Sequence, residues 1–183
     1  MAVSPPVCSF GWKAPEFELT ATTGKKVNLN QVKGSNGTLI MFICNHCPYV
    51  TSAIDRIVFD ATELMDMGIG VVSICSNDAI TYPDDSFHKM IAFARDNNFP
   101  FSYLHDENQE IAKSYDAECT PDFFGFNSNL ELQYRGRLDS SGRMGSLTQP
   151  RTRDLVNAMK EIADSGNGPK DQIPSMGCSI KWK

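Results

Sequence analysis

From Leu39 to Ile43 every residue is apolar, the pattern of a strand covered on both faces in the middle of a sheet. Before it, Glu16-Phe17-Glu18-Leu19-Thr20 alternates polar with apolar as a half-buried strand does. Thr23-Gly24-Lys25 then marks a turn and Val27 with Leu29 a returning strand, which together predict an N-terminal hairpin extension. Asn30 to Lys33 has room for one helical turn before Gly34-Ser35-Asn36-Gly37 breaks the chain. After Pro48, apolar residues at Val50, Ile54, Ile57, Val58, Ala61, Leu64 and Met65 form one helical stripe closed by Gly68. Ile69 to Cys75 is another buried strand, and Asp84-Asp85-Ser86 supplies caps for a helix carrying Phe87, Met90, Ile91 and Ala94.

Phe101 to Leu104 predicts a short strand and Asp106 to Tyr115 a short helix. Asp122 to Asn127 and Leu130 to Leu138 predict a hairpin across Asn127-Ser128-Asn129. Asp139 to Gln149 is a Gly/Ser-rich loop, and Pro150 opens a final helix with Leu155, Val156, Met159 and Ile162 inward. The order of elements predicts an α/β fold, a mixed central sheet flanked by helices, ending in a C-terminal tail over 165–183.

Length is consistent with a single domain over 1–183, and neither a repeat nor a linker interrupts the pattern. Lys and Arg number 17 against 22 Asp and Glu, a net charge of −5 with no basic block, which argues against nucleic acid or an anionic membrane as partner. The N-terminal MAVSPPVCSFGWKAPEF lacks a basic start followed by an apolar segment, and no run approaches membrane-spanning length. The expectation is a cytoplasmic protein. Six cysteines are too few for a disulfide scaffold at this length, and in a reducing compartment a close pair points to redox or metal chemistry.

That pair is Cys44 and Cys47, at the end of the apolar strand. Proline belongs at the first position of a helix, so Pro48 makes Cys47 the N-cap. A sulfur there faces unpaired N–H groups and the positive end of the helix dipole, which favour thiolate over thiol. Cys47 is therefore the expected nucleophile, and His46 beside it, when protonated, would lower its pKa further. The bland alternative is two buried cysteines packing as small apolar side chains. Zinc would need four ligands, and neither a second CxxC nor the three scattered histidines supply them, so no metal is expected. Cu(I) accepts soft ligands at low coordination, which keeps a copper-binding or redox-sensing protein as an alternative.

Five separated motifs carry a family resemblance: KAPEFEL from Lys13, FICNHCPYV from Phe42, SNDAITYPDDS from Ser76, CTPDFFGF from Cys119 and GCSIKWK from Gly177. Together they resemble the thioredoxin superfamily over nearly the whole chain. The likeness is to the branch shared by peroxiredoxins and the thioredoxin-like proteins of cytochrome maturation, in particular the peroxiredoxin-like redoxins. The resemblance implies a thioredoxin-like fold with the nucleophile about five residues beyond a strand aromatic, which from Phe42 is Cys47. Cys47-Pro48-Tyr49-Val50 also resembles the glutaredoxin site CPYC with valine in place of the second cysteine, so a resolving sulfur must come from elsewhere. Cys44 stands first, three residues upstream; Cys119 and Cys178 are alternatives. Thr120-Pro121 resembles the cis-proline position that lies against the active-site thiol, with Tyr49 and Phe124 as further candidates to wall the site. Cys8 and Cys75 read as ordinary buried thiols.

The function so implied is thiol–disulfide exchange without a cofactor, between a protein or small-molecule disulfide and a thiol electron donor. Peroxide reduction is the rival. Typical peroxiredoxins resemble PxxxTxxC with an arginine facing the site, whereas this chain has Ile40 and Cys44 at the proline and threonine positions. Arg135 or Arg137 in the predicted hairpin would have to supply the guanidinium.

Overall fold

The computed structural model describes residues 2–6 and 8–183. The chain begins with β1 (Ala2–Val3), the hairpin β2 (Glu18–Ala21) and β3 (Lys26–Asn28), and the single turn α1 (Leu29–Val32). Asn28 accepts from the Gln31 N–H while the Gln31 side chain accepts from the Asn28 N–H, a reciprocal cap that fixes where this turn starts. Then come β4 (Thr38–Phe42), α2 (Pro48–Thr51), α3 (Ile54–Asp66), β5 (Gly70–Cys75) and α4 (Phe87–Asp96). The second half comprises β6 (Ser102–His105), α5 (Glu110–Ser114), β7 (Cys119–Thr120), β8 (Asp122–Phe126), β9 (Leu132–Arg135), α6 (Asp154–Ser165) and β10 (Gly177–Ser179).

Seven strands form one mixed sheet in the order β3-β2-β6-β5-β4-β8-β9. β4, β5 and β6 are parallel, and the remaining pairs are antiparallel. The unbroken apolar run of β4 has a direct cause. Leu39 and Met41 face a core built with α3, α4 and α6, while Ile40 and Phe42 face a second core with Val72, Leu104, Tyr115 and Phe124. Each strand position alternates between the two layers, so every one of its residues is buried. The mixed α/β sheet between helices is the architecture expected from the sequence.

Several element boundaries differ from expectation: Leu29 opens α1 instead of ending a strand, α5 starts at Glu110 rather than Asp106, and β9 is shortened to Leu132–Arg135. The helix predicted from Pro48 to Gly68 is two helices, because Ala53 N–H donates back three residues to Val50 and its φ of −112° leaves the α-helical path. The last helix starts at Asp154 rather than Pro150. Residues 151–153 stay outside the helix because Ser140 and Thr152 hydrogen-bond across to each other, which lets Arg151 and Arg153 both reach the buried Asp60.

A second, three-stranded sheet lies apart from the first in the order β1-β10-β7. The tail strand β10 is its centre, antiparallel to both neighbours, with Cys178 opposite Ala2 on one side and Thr120 on the other. Beyond it Ile180 is buried in the second core, Lys181 N–H donates to Asn77 and Lys183 N–H to Gln109. No helix among the described residues is long and apolar enough to cross a membrane.

Candidate active site

β4 delivers the chain to the junction where Cys44 and Cys47 sit, both fully buried. Cys47 is the N-cap of α2, with Pro48 at the first helical position and extended φ and ψ of −68° and 123°. Its carbonyl accepts from Val50 and Thr51 N–H at 2.9 Å. The sulfur itself makes no cap hydrogen bond. α2 has four residues, too short for a sizeable dipole, so the helix is not what favours the thiolate.

Three other groups do. The neighbouring Cys44 side chain is the largest influence lowering the Cys47 pKa, against burial, which raises it. The Cys178 side chain and main-chain N–H, and then the Thr120 hydroxyl, lower it further. The protonated Cys47 thiol donates to the Thr120 carbonyl oxygen at 3.1 Å. The net effect holds Cys47 well below an ordinary thiol pKa. Cys44 is driven the opposite way, first by the neighbouring Cys47, then by burial and by the nearby Asp85. The pair thus has one sulfur poised as thiolate and the other held as thiol.

Thr120 spans both sulfurs. Its hydroxyl is 3.2 Å from Cys44 Sγ, its carbonyl faces Cys47, and the Thr120-Pro121 peptide bond is cis. Cys119 precedes it in β7, where successive side chains point to opposite faces. The Cys119 thiol accordingly turns to the Pro121 carbonyl oxygen at 3.5 Å and Ser175 Oγ at 3.9 Å, and burial pushes its pKa up. Cys178 comes to the site from β10, half-buried, its pKa pushed up to about 11 by burial and by Cys47. The structure therefore gathers Cys44, Cys47 and Cys178 and turns Cys119 aside.

His46 is placed differently from expectation. Its ring stacks on Tyr82 with centroids 5.7 Å apart, and Nδ1 lies 2.6 Å from Asp85 Oδ2 without forming an aligned hydrogen bond. The groups that lower the Cys47 pKa are its sulfur neighbours and Thr120. Asp85, read from sequence as a helix cap, is fully buried and accepts from the Asn45 N–H at 2.8 Å and the Asn77 amide at 2.7 Å. It locks the Asn45-His46 loop to the loop after β5. Cys44, His46 and Asp85 bring sulfur, nitrogen and oxygen within 4.8 Å of one another, a donor set able to hold a cation.

Tyr49, Pro121, Arg143 and Met176 help line a cavity of about 490 Å³ beside the cis peptide. Arg143 lies over the Tyr49 ring, 5.0 Å from its centroid. Phe124 is core, packed edge-on to Phe42 and Tyr115 in the second layer. Arg135 is held by Asp122 at 2.9 Å and Arg137 by Asp154 at 3.1 Å. Cys75 is fully buried, and Cys8 nearly so.

With this geometry in view, the model of the AhpC/TSA family matches residues 10–137. The chain belongs to the AhpC/TSA family. A crystal structure of an uncharacterized conserved protein from Geobacillus kaustophilus is 44% identical, with 100% of this chain and 97% of that one covered and a TM-score of 0.92. The fold is shared with the thioredoxin domain of a thiol-disulfide oxidoreductase from Bacteroides vulgatus, at 14% identity, 85% and 98% coverage and a TM-score of 0.65. It is shared also with the peroxidoxin BcpB of Mycobacterium tuberculosis, at 18% identity, 84% and 92% coverage and a TM-score of 0.57. No curated protein matches at the sequence level. The AhpC/TSA assignment agrees with the resemblance drawn from the five motifs, and the fold is thioredoxin-like.

Proposed function

We propose that this AhpC/TSA-family chain is a thiol–disulfide oxidoreductase with Cys47 as nucleophile. The observation that carries this reading is a buried sulfur at the Pro48 helix start, seated on the carbonyl of a cis Thr120-Pro121 peptide whose hydroxyl holds the neighbouring Cys44 thiol. A thiolate attacks one sulfur of a substrate disulfide, the S–S bond breaks, and the leaving thiolate takes a proton. Cys47 then holds the other half as a mixed disulfide. A second thiol attacks Cys47 to free the product, and both Cys44 and Cys178 stand beside it for that step. The partners in this reading are a protein or small-molecule disulfide and a thiol donor in a reducing compartment, with no cofactor.

Insulin-disulfide reduction with a dithiol donor tests it. The full chain is expected to be active and Cys47→Ser inactive; equal rates for the two would sink the proposal.

Family membership and the likeness to a peroxidoxin favour a second reading, in which peroxide oxidises Cys47 to a sulfenic acid trapped by a neighbouring thiol. It has less support, since Arg135 and Arg137 are both committed to carboxylates. Rapid consumption of one equivalent of peroxide, with Cys47 as the oxidised residue, would put it first. The buried Cys44 and Cys47 thiols, soft ligands side by side, favour a third, a Cu(I)-binding or redox-sensing protein. Tight Cu(I) binding by a chain whose Cys47 is inert to disulfides would select it.

A further inference from the structure

β10 is held where it is by more than a frayed end would need. It pairs with β1 and β7 at once, and Gly177 lies so close to Thr120 that a Cβ on it would strike the Thr120 carbonyl group. Ser175 Oγ donates to the Pro121 carbonyl oxygen at 3.1 Å, and Ser4 Oγ donates to the Ser175 carbonyl. This fastening sets Cys178 opposite Thr120, whose carbonyl is the group that Cys47 Sγ faces. The tail therefore brings a third sulfur to the Cys47 sulfur, in register, from a segment over 100 residues away in sequence. Among the three sulfurs, Cys44 and Cys47 are 1% and 0% exposed, and Cys178 alone is half-buried.

We infer that Cys178 is the thiol that closes the internal disulfide with Cys47, and that β10 lifts from β7 to admit the substrate and returns to resolve it. This rests on Cys47 acting as the nucleophile. The first step follows from burial, because Cys47 has no exposed surface while β10 is seated. Once Cys47 carries the substrate half R as a mixed disulfide, Cys178 loses its proton and attacks Cys47 Sγ. R departs as a thiolate and takes up that proton. Two electrons have then passed from the two cysteines to the substrate, which leaves as two thiols. A dithiol donor reverses the oxidation by attacking Cys178 Sγ, the half-buried end of the bond, with Cys47 leaving as thiolate. The donor's second sulfur frees Cys178.

Exposure chooses between Cys178 and Cys44. A Cys44–Cys47 disulfide would leave both sulfurs buried under the seated tail and would consume the thiol that sits on the Thr120 hydroxyl and most lowers the Cys47 pKa. A Cys47–Cys178 disulfide keeps that thiol and offers an outside thiol one reachable sulfur. Attack there is also the chemically favoured direction, since the sulfur expelled is the better leaving group.

Disulfide mapping of the full chain decides the matter. The reduced protein is treated with hydroxyethyl disulfide, quenched with N-ethylmaleimide and peptide-mapped by mass spectrometry. The expected result is a Cys47–Cys178 bond in the wild type and in Cys44→Ser. In Cys178→Ser a hydroxyethyl adduct on Cys47 is expected to persist at least about tenfold longer. A Cys44–Cys47 bond as the main wild-type product overturns the assignment to Cys178 while leaving Cys47 the nucleophile. Cys47 alkylated as a free thiol in every sample overturns both. The wild-type map does not depend on how well any variant folds.

Discussion

Cys47 Sγ lies 3.1 Å from the carbonyl oxygen of Thr120, and the hydroxyl of the same threonine lies 3.2 Å from Cys44 Sγ. One residue, at the cis peptide, therefore touches both sulfurs through different atoms. Thr120→Val keeps the shape and the carbonyl but removes the hydroxyl, which lowers the pKa of both thiols. The expected outcome is a folded protein whose Cys47 pKa rises by up to about one unit. Ultraviolet thiolate absorbance followed against pH measures it. An unchanged titration would show that the hydroxyl carries no part of the thiolate.

Cys44 is the larger lever. Cys44 is the strongest influence lowering the Cys47 pKa, and on the scale of a hydrogen bond to a charged group, about 1.5–3 kcal/mol, Cys44→Ala is expected to raise that pKa by roughly one to two units. The sign follows from the ionised form being the one stabilised: the wild-type sulfur stays thiolate down to low pH, and the variant gains its proton at a higher pH. In the same absorbance titration the low-pH step shifts upward. If it does not move, the thiolate is held by Cys178 and Thr120 without Cys44.

Cys47 was legible in the sequence because its signals are local: Pro48 next to it, and Phe42 five residues before it in a run of apolar residues that both cores require. The physical reason offered for its reactivity was not legible. A proline-started helix reads as a dipole, and the turn at Ala53 leaves too little helix to supply one. Asp85 was misread for the same kind of reason. Its place before Phe87 looks like a cap, and its true partners, Asn45 and Asn77, are fixed only when two loops meet. Cys178 stood behind Cys44 among the resolving candidates by sequence, since nothing near residue 178 shows that β10 pairs with Thr120. Local chemistry was readable along the chain, and long-range pairing was not.

The non-helical segment before α6 was the other unread feature, and it carries stability. Asp60 is fully buried and receives Arg151 at 2.8 Å and Arg153 at 2.7 Å, while Arg56 pairs with Asp139 close by at 2.6 Å. Removing one partner from such a cluster strands the others' charge. Asp60→Ala is therefore expected to cost about 3–5 kcal/mol, read as a lower urea midpoint. A loss under about 1 kcal/mol would mean that the arginines find water or Glu63 instead.

Gly177 offers the most direct view of the tail. With no side chain it lets β10 lie against Thr120, and Gly177→Ala puts a methyl group where the Thr120 carbonyl already is. The cheapest relief is for β10 to move off β7, which uncovers Cys47. Two effects then oppose each other near neutral pH. Exposure speeds alkylation, whereas loss of the Cys178 N–H raises the Cys47 pKa and slows it. At pH above about 9 an ordinary cysteine is largely ionised, so exposure alone remains. Under that condition iodoacetamide is expected to modify Cys47 at least about tenfold faster in Gly177→Ala than in the wild type, with the far-ultraviolet dichroism of the main sheet unchanged. Equal rates at high pH would mean either that β10 stays seated despite the methyl group or that the tail does not control access to Cys47. Cysteine accessibility at Cys178 separates those two cases, because a displaced strand leaves that thiol fully reactive.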